Sequence, residues 1–382
     1  MENLTTNVGQ TFTDVGEVVC DPGTALIYEH GWQSWSPTTT YSLGDRPYRP
    51  AGETIRVVNY RADGTAPEGS FQGEGLLAVQ ARTGGPVHVF AAHPGADAIP
   101  SIRARVQGHT VVVASEGPIQ QMVDDGPGGI FGALGRWGES YASALEVGPI
   151  RAAPTIWCSW YHYFMQVTEQ DMLENLDAID ELRLPVDVVQ LDDGYQAEIG
   201  DWLTLSGRFR SLRDLVARIR ERGRRVGIWT APFLVGQRSR LYAEHPEWLI
   251  QQASAGHNWH QDLFALDITH PGAAAYLQRV FSTFHQLGID FFKIDFIYAG
   301  ALGGRRYEDV PSVEAYRRGV RLIRDAIGPQ AYLLGCGAPI LPSVGLVDAM
   351  RVSPDTAPLY EPHQGDLSQP SVRAAILSGA GR

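Results

Sequence analysis

The run Phe291-Phe292-Lys293-Ile294-Asp295-Phe296 decides how the chain is read. It has the length and apolar content of a buried strand, yet it carries one cation and one anion two positions apart. Alternate side chains of a strand share a face, so Lys293 and Asp295 are expected to point one way and Phe292, Ile294 and Phe296 the other. Two charges among aromatics are costly unless they pair or take part in chemistry. A structural ion pair is the ordinary explanation of an isolated Lys-x-Asp. Here a helix ending at Leu287-Gly288 precedes the strand and puts Asp295 at its C-terminal end, the edge that carries the active site in repeated β/α architectures.

Outward from this strand the same alternation repeats. Strand-like runs at 155–161, 186–191, 226–230, 289–295, 332–335 and 349–353 are separated by amphipathic helical stretches. Thr168-Glu169-Gln170-Asp171 opens one helix with a capping-box pattern, Ser211 caps the next, and Pro271 starts a third. A fourth runs over 313–327 to Gly328-Pro329, and a last over 370–377. The spacing predicts an α/β TIM-type (β/α) barrel over 151–382, incomplete because only about six of eight β/α units are present. Residues 1–150 read as an N-terminal all-β sandwich domain. Short alternating runs at 54–60, 75–82, 87–92, 102–106 and 110–114 are cut by Gly and Pro at turn spacing.

Composition narrows the function classes. At 382 residues, 44% hydrophobic and 19% charged, the chain reads as an ordinary globular protein of two domains. A formal net charge of -12 argues against a nucleic-acid partner, which needs a basic face. Cys20, Cys158 and Cys336 are far apart and form no C-x-x-C pair, so neither a disulfide framework nor a zinc knuckle is indicated. Met1-Glu2-Asn3-Leu4 lacks the basic start of a secretory signal, and no apolar run of about 18 residues occurs, so the expectation is a cytoplasmic protein with no membrane partner. His257-x-x-His260 is the one metal-like pair. It lies in a long connection rather than on a helix, and it reads as surface or loop packing.

The strand ends concentrate polar residues. They present Trp160-Tyr161-His162-Tyr163, then Asp192-Asp193-Gly194-Tyr195, Trp229, Lys293 with Asp295, Cys336, and Arg351 with Asp355 close behind. Each has a plain role available by itself: Asp-Asp-Gly is a turn motif, Trp229 can fill core, and Cys336 between two glycines can be inert packing. Their coincidence on one rim favours a site. Glycosidic cleavage uses two carboxyl groups, one at the anomeric carbon and one protonating the leaving oxygen. Lys293 beside Asp295 favours the ionised, nucleophilic form, and Asp355 on a loop suits proton transfer. An adjacent Asp pair accepts charge-assisted hydrogen bonds from vicinal hydroxyls.

Six segments in this order, Gly31-Trp32-Gln33-Ser34-Trp35-Ser36-Pro37, Leu191-Asp192-Asp193-Gly194-Tyr195, Gly227-Ile228-Trp229, Phe292-Lys293-Ile294-Asp295, Gly335-Cys336-Gly337 and Met350-Arg351-Val352-Ser353-Pro354-Asp355, resemble the α-galactosidases of glycoside hydrolase family 36. The resemblance implies a retaining double displacement on small α-galactosides, with Asp295 as nucleophile and Asp355 as acid/base. It implies that Asp192 and Asp193 hold O4 and O6 of the galactosyl ring and that Lys293 and Arg351 contact ring hydroxyls. Trp229 and Cys336 would shape the pocket, Trp32 or Trp35 would reach over from the β domain, and Tyr163 would accompany them. No metal or organic cofactor takes part in this family, and its members commonly form homo-oligomers. Relative to the family the chain is expected to be C-terminally truncated, lacking two β/α units and a small β domain. Two further readings stay open: an α-galactosyltransferase of the raffinose-synthase kind, and a non-catalytic sugar-binding fragment that needs a missing segment or partner.

Overall fold

The computed structural model describes residues 11–49, 57, 60, 61, 64, 66–362, 365, 367, 369–379 and 381. The chain divides into two compact units, one of Met1–Val147 with Ser353–Arg382 and one of Gly148–Val352.

The first unit is built on two antiparallel sheets. Thr13–Val19, Thr110–Ser115, Ser101–Gln107 and Phe71–Glu74 form one; Thr39–Ser42, Leu26–Glu29, Leu76–Gln80, Val87–Ala92 and Ile119–Asp124 form the other. Alternation along the strands turns Val111 and Val113 of one sheet and Ile27, Leu77 and Val79 of the other into a single core with Phe71 and Phe90. The expected strand over 54–60 falls almost wholly outside the described residues.

The unit is not all-β. A 16-residue helix, Gly129–Ala144, follows the last strand of the larger sheet. Four internal or leading glycines hide it from a propensity reading. It forms because Ile130, Ala133, Trp137 and Tyr141, spaced three and four apart, bury one face, which packs on Leu76–Gln80 and Val87–Ala92. Gly132 is required there: a Cβ would lie 2.2 Å from the Pro127 carbonyl oxygen.

The second unit carries six strands, Ile156–Cys158, Val188–Leu191, Arg225–Thr230, Phe291–Ile294, Tyr332–Cys336 and Ala349–Arg351, paired in parallel and in chain order. Helices cross between them. Thr168 caps Glu169–Glu181 with a complete capping box, and Ser211 caps Leu212–Glu221. Pro271–Leu287 ends at Gly288, whose φ of 100° suits only glycine. Phe292, fully buried, meets Phe281 of that helix with ring centroids 5.9 Å apart. Burial of a Phe of this kind stabilises by roughly 1.5–3 kcal/mol.

The long connection expected after Arg225–Thr230 is instead a folded layer. Leu234–Gly236, Gln261–Leu266 and Leu249–Asn258 make a three-stranded antiparallel sheet. Two register shifts along Leu249–Asn258 break the period-2 pattern that would have marked it as a strand.

Candidate active site

The expectation for 291–296 holds up to Ile294 and then changes. The strand ends there, and Phe296 takes a left-handed backbone, φ 52°, so the alternation stops. Its ring packs at 5.1 Å from Trp259 rather than beside Phe292. Asp295 keeps its place one residue beyond the strand, with its amide bonded to the Thr230 carbonyl of the neighbouring strand at 2.7 Å.

Both oxygens of Asp295 face donors. The Phe296 amide donates to Oδ1 at 2.9 Å, the Trp229 indole donates to Oδ2 at 2.9 Å, and Lys293 Nζ lies 3.8 Å from Oδ2. Register explains the convergence, since Trp229 pairs directly with Lys293 across the sheet. Lys293 donates to Asp192 Oδ2 at 3.0 Å, so one ammonium serves two carboxylates. Burial pulls the Lys293 pKa down, but Asp192 and then Asp295 outweigh it and hold the amine protonated well above its ordinary range.

Asp192 and Asp193 are almost wholly buried. Asp192 accepts from Gln190 Nε2 at 2.6 Å and from the Asp193 amide at 3.0 Å, while its own amide donates to Ser159 Oγ. Asp193 accepts from Gln196 Nε2 at 2.6 Å on Oδ1 and from the Trp259 indole at 2.7 Å on Oδ2. Burial pushes Asp193 up to about 6 despite these two donors, and Asp192 and Asp295 add to the rise. The turn reading of Asp192-Asp193-Gly194 is also true in part. Gly194 has φ 124°, and a Cβ there would meet the Met165 carbonyl oxygen at 2.8 Å.

Cys336 is buried at the end of its strand and hydrogen-bonded to Asp295; burial pushes its thiol up even with Arg351 nearby, so it is no thiolate. Arg351 donates to the Tyr161 hydroxyl at 3.4 Å. Tyr163 turns toward the following helix, its hydroxyl accepting from Asn175 Nδ2 at 2.6 Å. Trp32, Trp35 and Asp355 belong to the other unit. Trp32 and Trp35 are largely buried, with the Arg61 guanidinium 5.9 Å from the Trp32 ring centre, and Asp355 is half-buried just beyond Ser353, whose amide donates to the Ser34 carbonyl.

Several contributors were not expected from sequence. Gln190 sits two residues before Asp192 on one strand and shares its face, a signal that period 2 contains. Ser159, Gln196 and Trp259 carry no such signal, because each reaches the cluster from a loop or turn. His257 pairs with Asp262 at 2.9 Å on the hairpin, and His260 is exposed at its tip. Among the described residues no group of three His, Cys, Asp or Glu is arranged to hold a metal ion. Among them, too, no helix is long and apolar enough to cross a membrane.

A parallel β/α unit with carboxylates and a lysine at its strand ends, joined to an antiparallel β unit, defines the class: a glycoside-hydrolase fold. Residues 149–314 match the Melibiase family model. The structure is similar to that of TtGalA, the α-galactosidase from Thermus thermophilus in complex with stachyose, at 30% identity and a TM-score of 0.77, covering 94% of this chain and 77% of that one. Alpha-galactosidase 1 of Pediococcus pentosaceus is 26% identical over 175 residues, 41% of this chain and 23% of its own length. Alpha-xylosidase XylQ of Lactiplantibacillus pentosus is 29% identical over 139 residues, 34% of this chain and 18% of its own. The chain thus spans less than a quarter of the length of these two curated relatives. It belongs to the α-galactosidases of glycoside hydrolase family 36.

Proposed function

We propose that the protein is a retaining exo-α-galactosidase acting on small α-galactosides, built on a β-sandwich unit and an incomplete (β/α) barrel of six strands. The observation that carries this reading is Asp295, an acceptor held by Trp229, Phe296 and Lys293, in a chain 30% identical to an α-galactosidase over 94% of its length. The Asp295 carboxylate attacks the anomeric carbon and the glycosidic oxygen leaves with a proton from Asp355. Water then attacks the same carbon, returns a proton to Asp355 and releases Asp295. Asp192 and Asp193 receive O4 and O6, Lys293 and Arg351 contact ring hydroxyls, and Trp229, Cys336, Trp32 or Trp35, and Tyr163 shape the pocket. The protein works in the cytoplasm and as a homo-oligomer.

The test is turnover of p-nitrophenyl α-D-galactopyranoside followed by proton NMR. Retention requires α-galactose as the first product, whereas initial β-galactose would overturn the double displacement. Transfer to added sucrose exceeding hydrolysis would favour a galactosyltransferase. No turnover by the folded chain, with galactose still bound, would favour a sugar-binding fragment. The match to an α-xylosidase supports a second reading, and preference for the p-nitrophenyl α-xyloside would select it.

A further inference from the structure

Leu249–Asn258 and Gln261–Leu266 form a hairpin whose closing pair is Asn258 and Gln261. Its two-residue tip is Trp259-His260, with φ of 51° and 57°. Positive φ at both positions is the backbone of a tight hairpin turn that ordinarily takes Asn-Gly, and bulky residues there are strained. The surroundings hold the strain in place. Asn258 Oδ1 accepts from the Trp259 amide at 2.7 Å, Arg238 donates to the His260 carbonyl, and buried Gln261 accepts from the Arg238 amide at 2.9 Å. Strain kept at one point by several contacts marks a constrained side chain.

That side chain is the Trp259 indole. Its N–H donates to Asp193 Oδ2 at 2.7 Å, and its ring lies 6.3 Å from Trp229 and 5.1 Å from Phe296. It therefore joins Asp193 to the two residues that donate to Asp295. We propose that Trp259 is a positioning residue for the galactosyl site, aiming the Asp193 carboxylate at the sugar and keeping it in its accepting form. The inference rests on the α-galactosidase reading for the identity of the sugar, but not for the link between Trp259 and Asp193.

Asp193 is faced by Asp192 and Asp295 from the strand ends, with Lys293 beyond Asp192. Glu198, Arg208, Arg238 and His260 line a pocket of about 190 Å³ that Asp193 and Trp259 share. Arg238 is already paired with Glu198, and Arg208 donates to backbone carbonyls, so neither replaces the indole.

The test uses the full chain labelled with carboxyl-13C aspartate, the Asp193 signal being assigned by its loss in Asp193→Asn. In Trp259→Phe the Asp193 titration is expected to move up by about one pH unit. KM for p-nitrophenyl α-galactoside is expected to rise about tenfold with kcat little changed, one pH unit corresponding to a factor of ten. His257→Ala, on the same hairpin but outside that pocket, leaves both unchanged. Trp259→Leu, a second variant without the donor, serves if the Phe variant does not fold. An Asp193 titration that stays put without the indole overturns the proposal. A titration that moves in a protein with no galactoside turnover sustains the Trp259 link and removes the α-galactosidase reading.

Discussion

Each unit holds a trio of carboxylates mostly out of solvent, Glu116 alone being half-buried, and the two trios are balanced differently. In the β unit Glu29 pairs with Arg49 at 2.6 Å, while Glu74 and Glu116 share Arg61 at 3.7 and 2.6 Å. Glu74 is further satisfied by Ser101 and Gln72. In the β/α unit one ammonium serves the trio: Lys293 lies 3.0 Å from Asp192 and 3.8 Å from Asp295, while Asp193 is held by neutral donors, Gln196 and Trp259. Burial pushes Glu29 and Glu74 up, yet arginine forks and polar partners occupy the oxygens from within the sheet. The first arrangement closes on itself, and the second keeps acceptors at strand ends, the edge where the proposed sugar would bind. Charge balance, rather than burial, separates a structural cluster from a chemical one.

The comparison breaks most sharply at Asp295. Asp295→Ala should lower kcat on p-nitrophenyl α-galactoside by about 10³-fold or more while thermal unfolding shows a folded protein. Near-normal turnover would place the nucleophile elsewhere. Lys293→Met removes the shared cation and leaves two buried carboxylates facing each other, so stability should fall by about 3–5 kcal/mol in urea unfolding, with turnover lost as well. Arg49→Met is the counterpart in the β unit. Because Arg49 is partly exposed, the loss should be nearer about 2–3 kcal/mol, and kcat and KM of the folded fraction should not move. A changed KM there would give the Glu29 cluster a part in substrate binding.

The pH dependence sharpens the same contrast. Asp193 titrates at about 6 in the folded protein, above the ordinary aspartate range, so between pH 4 and 6 the folded state holds a proton that the unfolded chain has released. Its contribution to stability is therefore present at low pH and lost as pH rises through about 6. On the proposed reading sugar binding runs the opposite way, because the accepting carboxylate exists above that value. On acidification below pH 6, kcat/KM should fall by up to about tenfold per unit. A flat profile down to pH 4 would detach Asp193 from the sugar. The smallest effect is at the hairpin tip: His260→Gly relieves one positive-φ position and should raise the midpoint of thermal unfolding by about 2–4 °C, corresponding to about 1 kcal/mol, with kinetics unchanged.

What sequence made legible follows from the range of each signal. Strand runs and capped helices of the β/α unit are local patterns, and the face shared by Lys293 and Asp295 is a period-2 fact that the structure keeps. Trp229 opposite Lys293 follows only from register, which no single strand contains. Trp259 was hidden because it sits at the tip of a hairpin whose first strand, Leu249–Asn258, is polar and bulged. Phe296 was assigned to the wrong face because the strand stops one residue before Asp295. The helix Gly129–Ala144 was missed because packing overrode glycine propensity. Glu29 and Glu74 are 45 positions apart, and nothing local announces that they share a core.

The last thirty residues give the β unit an unusual assembly problem. The Thr38 amide finds its acceptor at Leu377, the Trp35 carbonyl its donor at Ser378, and the Tyr28 hydroxyl its acceptor at Gly381. These bonds close loops of about 340–350 residues, and the whole of Gly148–Val352 emerges from the ribosome between their two sides. The sandwich begun first in synthesis is thus closed only after that unit has been made, and its folding inherits the loop-closure cost and slowness of high contact order.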